Sequence, residues 1–125
     1  MADIIEMRNY LISPGRRDEF LDIFTATCIP EQRRVGMKLL GPFISVHDPH
    51  NTITQRWKAE DIFFWMRSFP DMESRDEMKR AFYEGHLWKT EYEKQIMPLI
   101  EEMDVVLVED MLGIPDSWVW PQKNG

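Results

Sequence analysis

The sequence predicts an α+β domain in the order strand–helix–strand–strand–helix–strand, and three observations carry that reading. The first residues alternate, with Ile5, Met7 and Leu11 pointing one way and Glu6, Arg8 and Tyr10 the other, which is the period of a strand. Apolar residues recur at helical spacing in two later stretches. Turn formers such as Ser13-Pro14-Gly15 and Asp48-Pro49-His50-Asn51 separate the periodic segments.

The first strand is expected over Asp3 to Ile12. A helix follows from near Arg16 to Val35, with Phe20, Leu21, Phe24, Cys28 and Val35 on its apolar stripe. Pro30 should kink or break that helix, because proline lacks a donor and clashes with the preceding turn. Gly36 suits the left-handed C-terminal cap. Met37 to His47 reads as strand two, with Gly41-Pro42 marking a bulge or an edge.

A four-residue loop then leads to strand three, Thr52 to Ala59. With His47 paired to Thr52, Phe43, Ser45, His47, Thr54, Arg56 and Lys58 share one face, and Ile44, Val46, Ile53, Gln55 and Trp57 share the other. Ile62 to Met66 opens a helical region broken at Pro70, and Ser74 to Tyr83 resumes it. After Gly85 the helix continues from His86 to about Met103 on Trp88, Tyr92, Ile96, Leu99 and Ile100, bent at Pro98. Val105 to Val108 forms a short apolar fourth strand. The order is the split βαβ pattern of ferredoxin-like domains, an antiparallel sheet with helices on one face, except that strands one and three are expected to be parallel neighbours. Residues 1–110 make the domain. Residues 111–125 form an extended tail whose Trp118 and Trp120 should dock on the body or on a partner.

A chain of 125 residues with 43% hydrophobic and 30% charged residues fits one soluble domain. Its net charge of −7 argues against a nucleic-acid partner, which needs a concentrated basic surface. Cys28 is the single cysteine, so no internal disulfide forms, and within an apolar helical stretch it serves as a small hydrophobe. The N-terminal residues lack the pattern of a signal peptide, and no apolar run approaches the roughly 18 residues of a membrane span. A cytoplasmic protein is expected.

The order and spacing of Glu6-Met7-Arg8-Asn9-Tyr10, Pro14-Gly15, Gly36-Met37 with Gly41, Asn51, Trp57, Glu60-Asp61, Trp88 and Pro98-Leu99-Ile100 resemble the NIPSNAP family over about residues 3–109. The resemblance implies a homodimeric α/β barrel, two sheets facing each other with helices outside. Wider relatives of that barrel include heme-free monooxygenases, polyketide cyclases, isomerases and heme-binding dehydratases, so fold analogy does not select a reaction. The resemblance also implies that many members carry histidine where this chain has Gln55, which cannot act as a general base.

Two surfaces could hold chemistry. Glu6, Arg8, Tyr10, Ser45, His47, Thr54, Arg56 and Lys58 are expected on a face covered by the dimer partner. There they either form a network that fixes register or, through Arg8 and Arg56, bind an anionic ligand. On the other face Asn9 and Gln55 interrupt an apolar layer, which suits a pocket for a small hydrophobic or aromatic molecule; the alternative is two amides bonded to each other, to a helix end or to a buried water. The expected site is Asn9, Gln55, Trp57 and Trp88 around the ligand, with His86 or Tyr83 moving a proton. His47, Asp48 and His50 read as turn chemistry, so no metal is expected, and no cofactor is called for. The functional expectation is a cofactor-independent enzyme of cyclase, isomerase, lyase or monooxygenase type. The alternative is a non-catalytic dimer that binds a small molecule or, through its tryptophan tail, a protein.

Overall fold

A computed structural model describes residues 3–113. Strand β1, Ile4–Ile12, runs to the Pro14-Gly15 turn, where Gly15 has a φ of 76°. Helices α1, Arg17–Ala26, and α2, Cys28–Arg34, follow. The break falls at Thr27, not at Pro30. Proline withdraws its bond from the carbonyl four residues earlier, here that of Ala26, so the ladder fails one turn upstream and Pro30 sits harmlessly in the first turn of α2. Strand β2, Lys38–Ile44, has its register shifted between Leu40 and Phe43 around a cis Gly41-Pro42 bond.

Strand β3 is Ile62–Phe69, and α3 is Met72–Tyr83, capped by Asp71, whose Oδ1 accepts from the Ser74 amide at 2.7 Å. A π-helical turn, Trp88–Tyr92, feeds α4, Glu93–Ile96. Strand β4, Ile100–Glu109, closes the order and is longer than the expected Val105 to Val108.

The expected third strand, Thr52 to Ala59, is not a strand. It holds two 3₁₀ turns, Thr52–Gln55 and Ala59–Asp61. Local bonds win there: Thr54 Oγ1 donates to the Asn51 carbonyl at 2.6 Å, and the Trp57 amide to that of Ile53 at 3.0 Å. The strand is the aromatic run read as a helix start, where Phe63, Trp65, Arg67 and Phe69 alternate with Phe64, Met66 and Ser68.

The sheet order is β2-β3-β1-β4, and every pairing is antiparallel, including β1 with β3. The parallel pairing expected of strands one and three is therefore corrected. So is the barrel: four strands with β2 and β4 at free edges leave the sheet open, not closed on itself. The expected docking of Trp118 and Trp120 lies outside the described residues. No helix among the described residues is long and apolar enough to cross a membrane.

The two faces of the sheet are exchanged relative to expectation. Tyr10, Ile12, Phe63, Trp65, Phe69 and Leu39 pack under the helices against Phe20, Phe24, Cys28, Phe82, Trp88 and Ile96. Strand pairing puts Glu6 opposite Arg67 and Arg8 opposite Trp65 on this same covered face. Met7 opposite Met66 and Asn9 opposite Phe64 lie on the uncovered one. The charges on this buried face lie in contact with one another, Glu6 pairing with both Arg8 and Arg67.

Candidate functional site

Between sheet and helices lies a cavity of about 470 Å³, within the roughly 300–1,000 Å³ of small-molecule sites. Its floor is β1 and β3, through Arg8, Tyr10 and Trp65; its walls are Phe24 and Cys28 from the first helical pair, and Phe82, Trp88 and Ile96 from the second. Aromatic rings hold the walls in place: Trp88 meets Tyr83 edge-on at 5.1 Å and Phe82 at 5.3 Å, and Phe24 meets Trp65 at 4.9 Å. Trp88 begins the π-helical turn. Such turns re-aim side chains and are frequent at functional sites.

Charge gathers at one end. The Glu6 carboxylate is fully buried, accepts from three arginines and forms an ion pair with Lys79. Its Oε1 takes Arg8 Nη1 at 2.7 Å and Arg67 Nε at 2.9 Å. Its Oε2 takes Arg75 Nε at 2.6 Å and lies 3.4 Å from Lys79 Nζ. Burial alone would push this carboxyl up, but Arg67, Arg8 and Lys79 outweigh it and hold it at about 2. Arg67 also donates to Gln32 Oε1 at 2.6 Å, and Arg8 Nε to the Tyr10 hydroxyl at 3.0 Å. The Trp65 indole has the Arg8 guanidinium 5.5 Å and the Arg67 guanidinium 5.0 Å from its ring centre, so it shares in stabilising both cations.

Burial pushes the Cys28 thiol up to about 11, so it is neutral and unreactive near pH 7. Burial also raises the Tyr10 phenol and lowers the Lys79 ammonium.

The structure brings together two of the six residues expected from the sequence. Tyr83 and Trp88 line the cavity. His86 is exposed on the helix beside it and is not among the lining residues. Asn9 lies on the opposite face of the sheet, in a shallow groove with Phe43, Asn51, Ile53 and Phe64. Gln55 is exposed in the first 3₁₀ turn, so it is not the strand neighbour of Asn9. Trp57 is buried elsewhere and donates from Nε1 to Glu102 at 2.6 Å.

Arg8 and Arg56, paired in the anion reading of the sequence, are also apart. Arg8 is under the helices, whereas Arg56 is exposed, bonds Asp104 and stacks on Trp57 at 4.4 Å. His50 bonds Asp48 within its own turn at 2.7 Å, and no group of metal-ligating side chains gathers among the described residues.

Sequence reading missed Trp65 and Lys79 at the cavity and expected Arg8 and Tyr10 on a face covered by a partner, not under the helices. The signal was available in the run from Ile62 to Phe69. Read as a strand, it places Arg67 against Glu6 and so marks the charged face as the one that pairs its charges internally.

The sequence matches the NIPSNAP family over residues 5–110. No protein of curated function matches it. Among solved structures, an uncharacterised NIPSNAP-like domain protein from Burkholderia xenovorans is 21% identical, with a TM-score of 0.75, covering 96% of both chains. A NIPSNAP family protein from Agrobacterium tumefaciens is 20% identical, with a TM-score of 0.73, covering 89% of this chain and 88% of that one. A second from the same organism, of unknown function, is 18% identical, with a TM-score of 0.72, over 87% and 88%. At these identities the structures establish a shared fold and leave the ligand to the chemistry of the site. With its family profile matched from Ile5 to Asp110, this chain is a member of the NIPSNAP family.

Proposed function

We propose that this protein binds a small hydrophobic or aromatic molecule in the cavity beneath its helices, without turning it over. The observation that carries the reading is the cavity itself, about 470 Å³ walled by aromatic rings with polar groups at one end. Binding is favoured over catalysis by three observations at the lining. Cys28 is held up at about 11, Tyr10 is raised, and His86 stands outside the lining.

The reading includes a homodimer. Support comes from the uncovered sheet face, where Met7, Leu40, Phe64 and Met66 lie between the exposed Phe43 and Val106. A second copy presenting the same face would remove that surface from water. A cytoplasmic setting fits the unpaired Cys28.

The test uses N-phenyl-1-naphthylamine, a neutral probe that fluoresces in apolar sites. Wild-type protein should enhance its emission saturably. Cys28→Phe, which fills the cavity from one wall, should remove the enhancement while circular dichroism and the melting curve show an intact fold. Enhancement unchanged in that variant would place the probe elsewhere and defeat the reading.

A further inference from the structure

We infer that the ligand of this cavity is an apolar carboxylic acid, bound with its carboxylate against Arg8 and Lys79 and its body among Phe24, Trp65, Phe82 and Trp88. The inference rests on the binding reading above and names the chemistry at the ligand's charged end.

The first support is a charge imbalance. Glu6 is one carboxylate serving Arg8, Arg67, Arg75 and Lys79. The remaining acids nearby are peripheral: Asp76 meets Arg75 at 3.3 Å with most of its side chain in water, and Glu93 is exposed where it lines the cavity. Arg8 and Arg67 are buried and Arg75 and Lys79 partly so, and cations in excess of anions at such a site favour an anion that joins them.

The second support is a shortage of acceptors. Arg8 spends Nη1 on Glu6 and Nε on Tyr10, which leaves Nη2 with, among the described residues, the Met103 thioether at 3.7 Å. A thioether is a weak acceptor for a guanidinium. Lys79 carries three donors and reaches the same Glu6 carboxylate on its other oxygen. Tyr10 accepts from Arg8, which frees its own hydroxyl proton to donate. In the same layer Trp65 Nε1 and, away from the lining, Arg67 Nη2 are buried with no acceptor among the described residues. A neutral apolar ligand satisfies none of these donors. A carboxylate brings acceptor oxygens and a charge, in the fork geometry that arginine matches.

Arg8 and Lys79 line the cavity and hold opposite oxygens of one carboxylate, so a second carboxylate can bridge them from the cavity side. The aromatic walls then cover the apolar body. Long-chain or aromatic acids meet this description equally, and both share the recognised group.

A matched pair of probes tests the inference: 2-naphthylacetic acid and its neutral amide, titrated calorimetrically into the full-length protein at pH 7. The acid should bind about tenfold or more tighter than the amide. Lys79→Gln should lose most of that preference, and Lys79→Arg should retain it. Lys79 is partly exposed, so these variants should fold, which circular dichroism checks. Equal binding of acid and amide overturns the inference and leaves the cavity a binding site for neutral molecules. A preference that survives both Lys79→Gln and Arg8→Gln places the anion elsewhere and also overturns it. Failure of both probes, together with no N-phenyl-1-naphthylamine binding, removes the binding reading as well.

Discussion

One sheet presents two faces, and the one that buries the aromatic core also buries the charges. The face beneath the helices carries Glu6, Arg8 and Arg67, each nearly or wholly out of water. The face without helices carries Met7, Leu40, Phe43, Phe64, Met66 and Val106, with Phe43 45% and Val106 49% exposed. Alternation along β1 separates these two sets, but it does not say which set the helices cover. Charges tolerate burial when each has a partner of opposite sign, and an apolar face tolerates exposure only until a partner arrives. The covered face holds the cavity, and the bare face is the surface proposed for a second copy.

The largest test of this contrast removes the compensation. Glu6→Gln keeps the shape and deletes the charge that four cations share, so stability should fall by about 3–5 kcal/mol in urea unfolding. A loss below about 1 kcal/mol would mean that the buried cluster does not organise the covered face.

Acid should have the same effect more gradually. The Glu6 carboxyl is held at about 2 in the folded protein, below its unfolded value. The stability it contributes is therefore full above the unfolded pKa and is lost as pH falls from about 5 towards 2. Urea midpoints followed across that range should drop in the wild type and drop less in Glu6→Gln.

The bare face should respond oppositely. Met66→Glu places a charge in the middle of the uncovered surface, where it costs the isolated fold little, about 1 kcal/mol or less. Sedimentation should show a dimer for the wild type at micromolar concentration and a monomer for the variant. A monomeric wild type would end the proposed role of this face.

The smallest effects concern single groups at the cavity. Cys28, buried and held at about 11, should resist iodoacetamide at pH 7 until the protein unfolds. His86→Ala, on an exposed position outside the lining, should change stability within about 0.5 kcal/mol and leave probe binding unaltered.

Much of the scaffold was legible in the sequence because its signals are local. β1 alternates over nine residues, Gly36 takes a φ of 102° after α2, and the Gly41-Pro42 irregularity falls in an edge strand. The misreadings have physical causes. Thr52 to Ala59 alternates like a strand, yet its threonine and backbone donors are satisfied within the segment. Ile62 to Phe69 is apolar at almost every position, so periodicity alone does not separate a buried strand from a helix. That one exchange moved Gln55 off the sheet, hid the Glu6–Arg67 pairing and sent Asn9 to the wrong face. Tyr83 and Trp88 escaped the error because they lie on helices whose spacing is plain.

The most direct measurement of the central claim is a crystal structure of the protein soaked with a panel of small aromatic compounds. The account predicts density within the cavity bounded by Phe24, Trp65, Phe82 and Trp88, with polar substituents turned towards Arg8 and Lys79. A cavity closed by repacking of Phe82 and Trp88, with compounds bound only on the Met7–Met66 face, would contradict it.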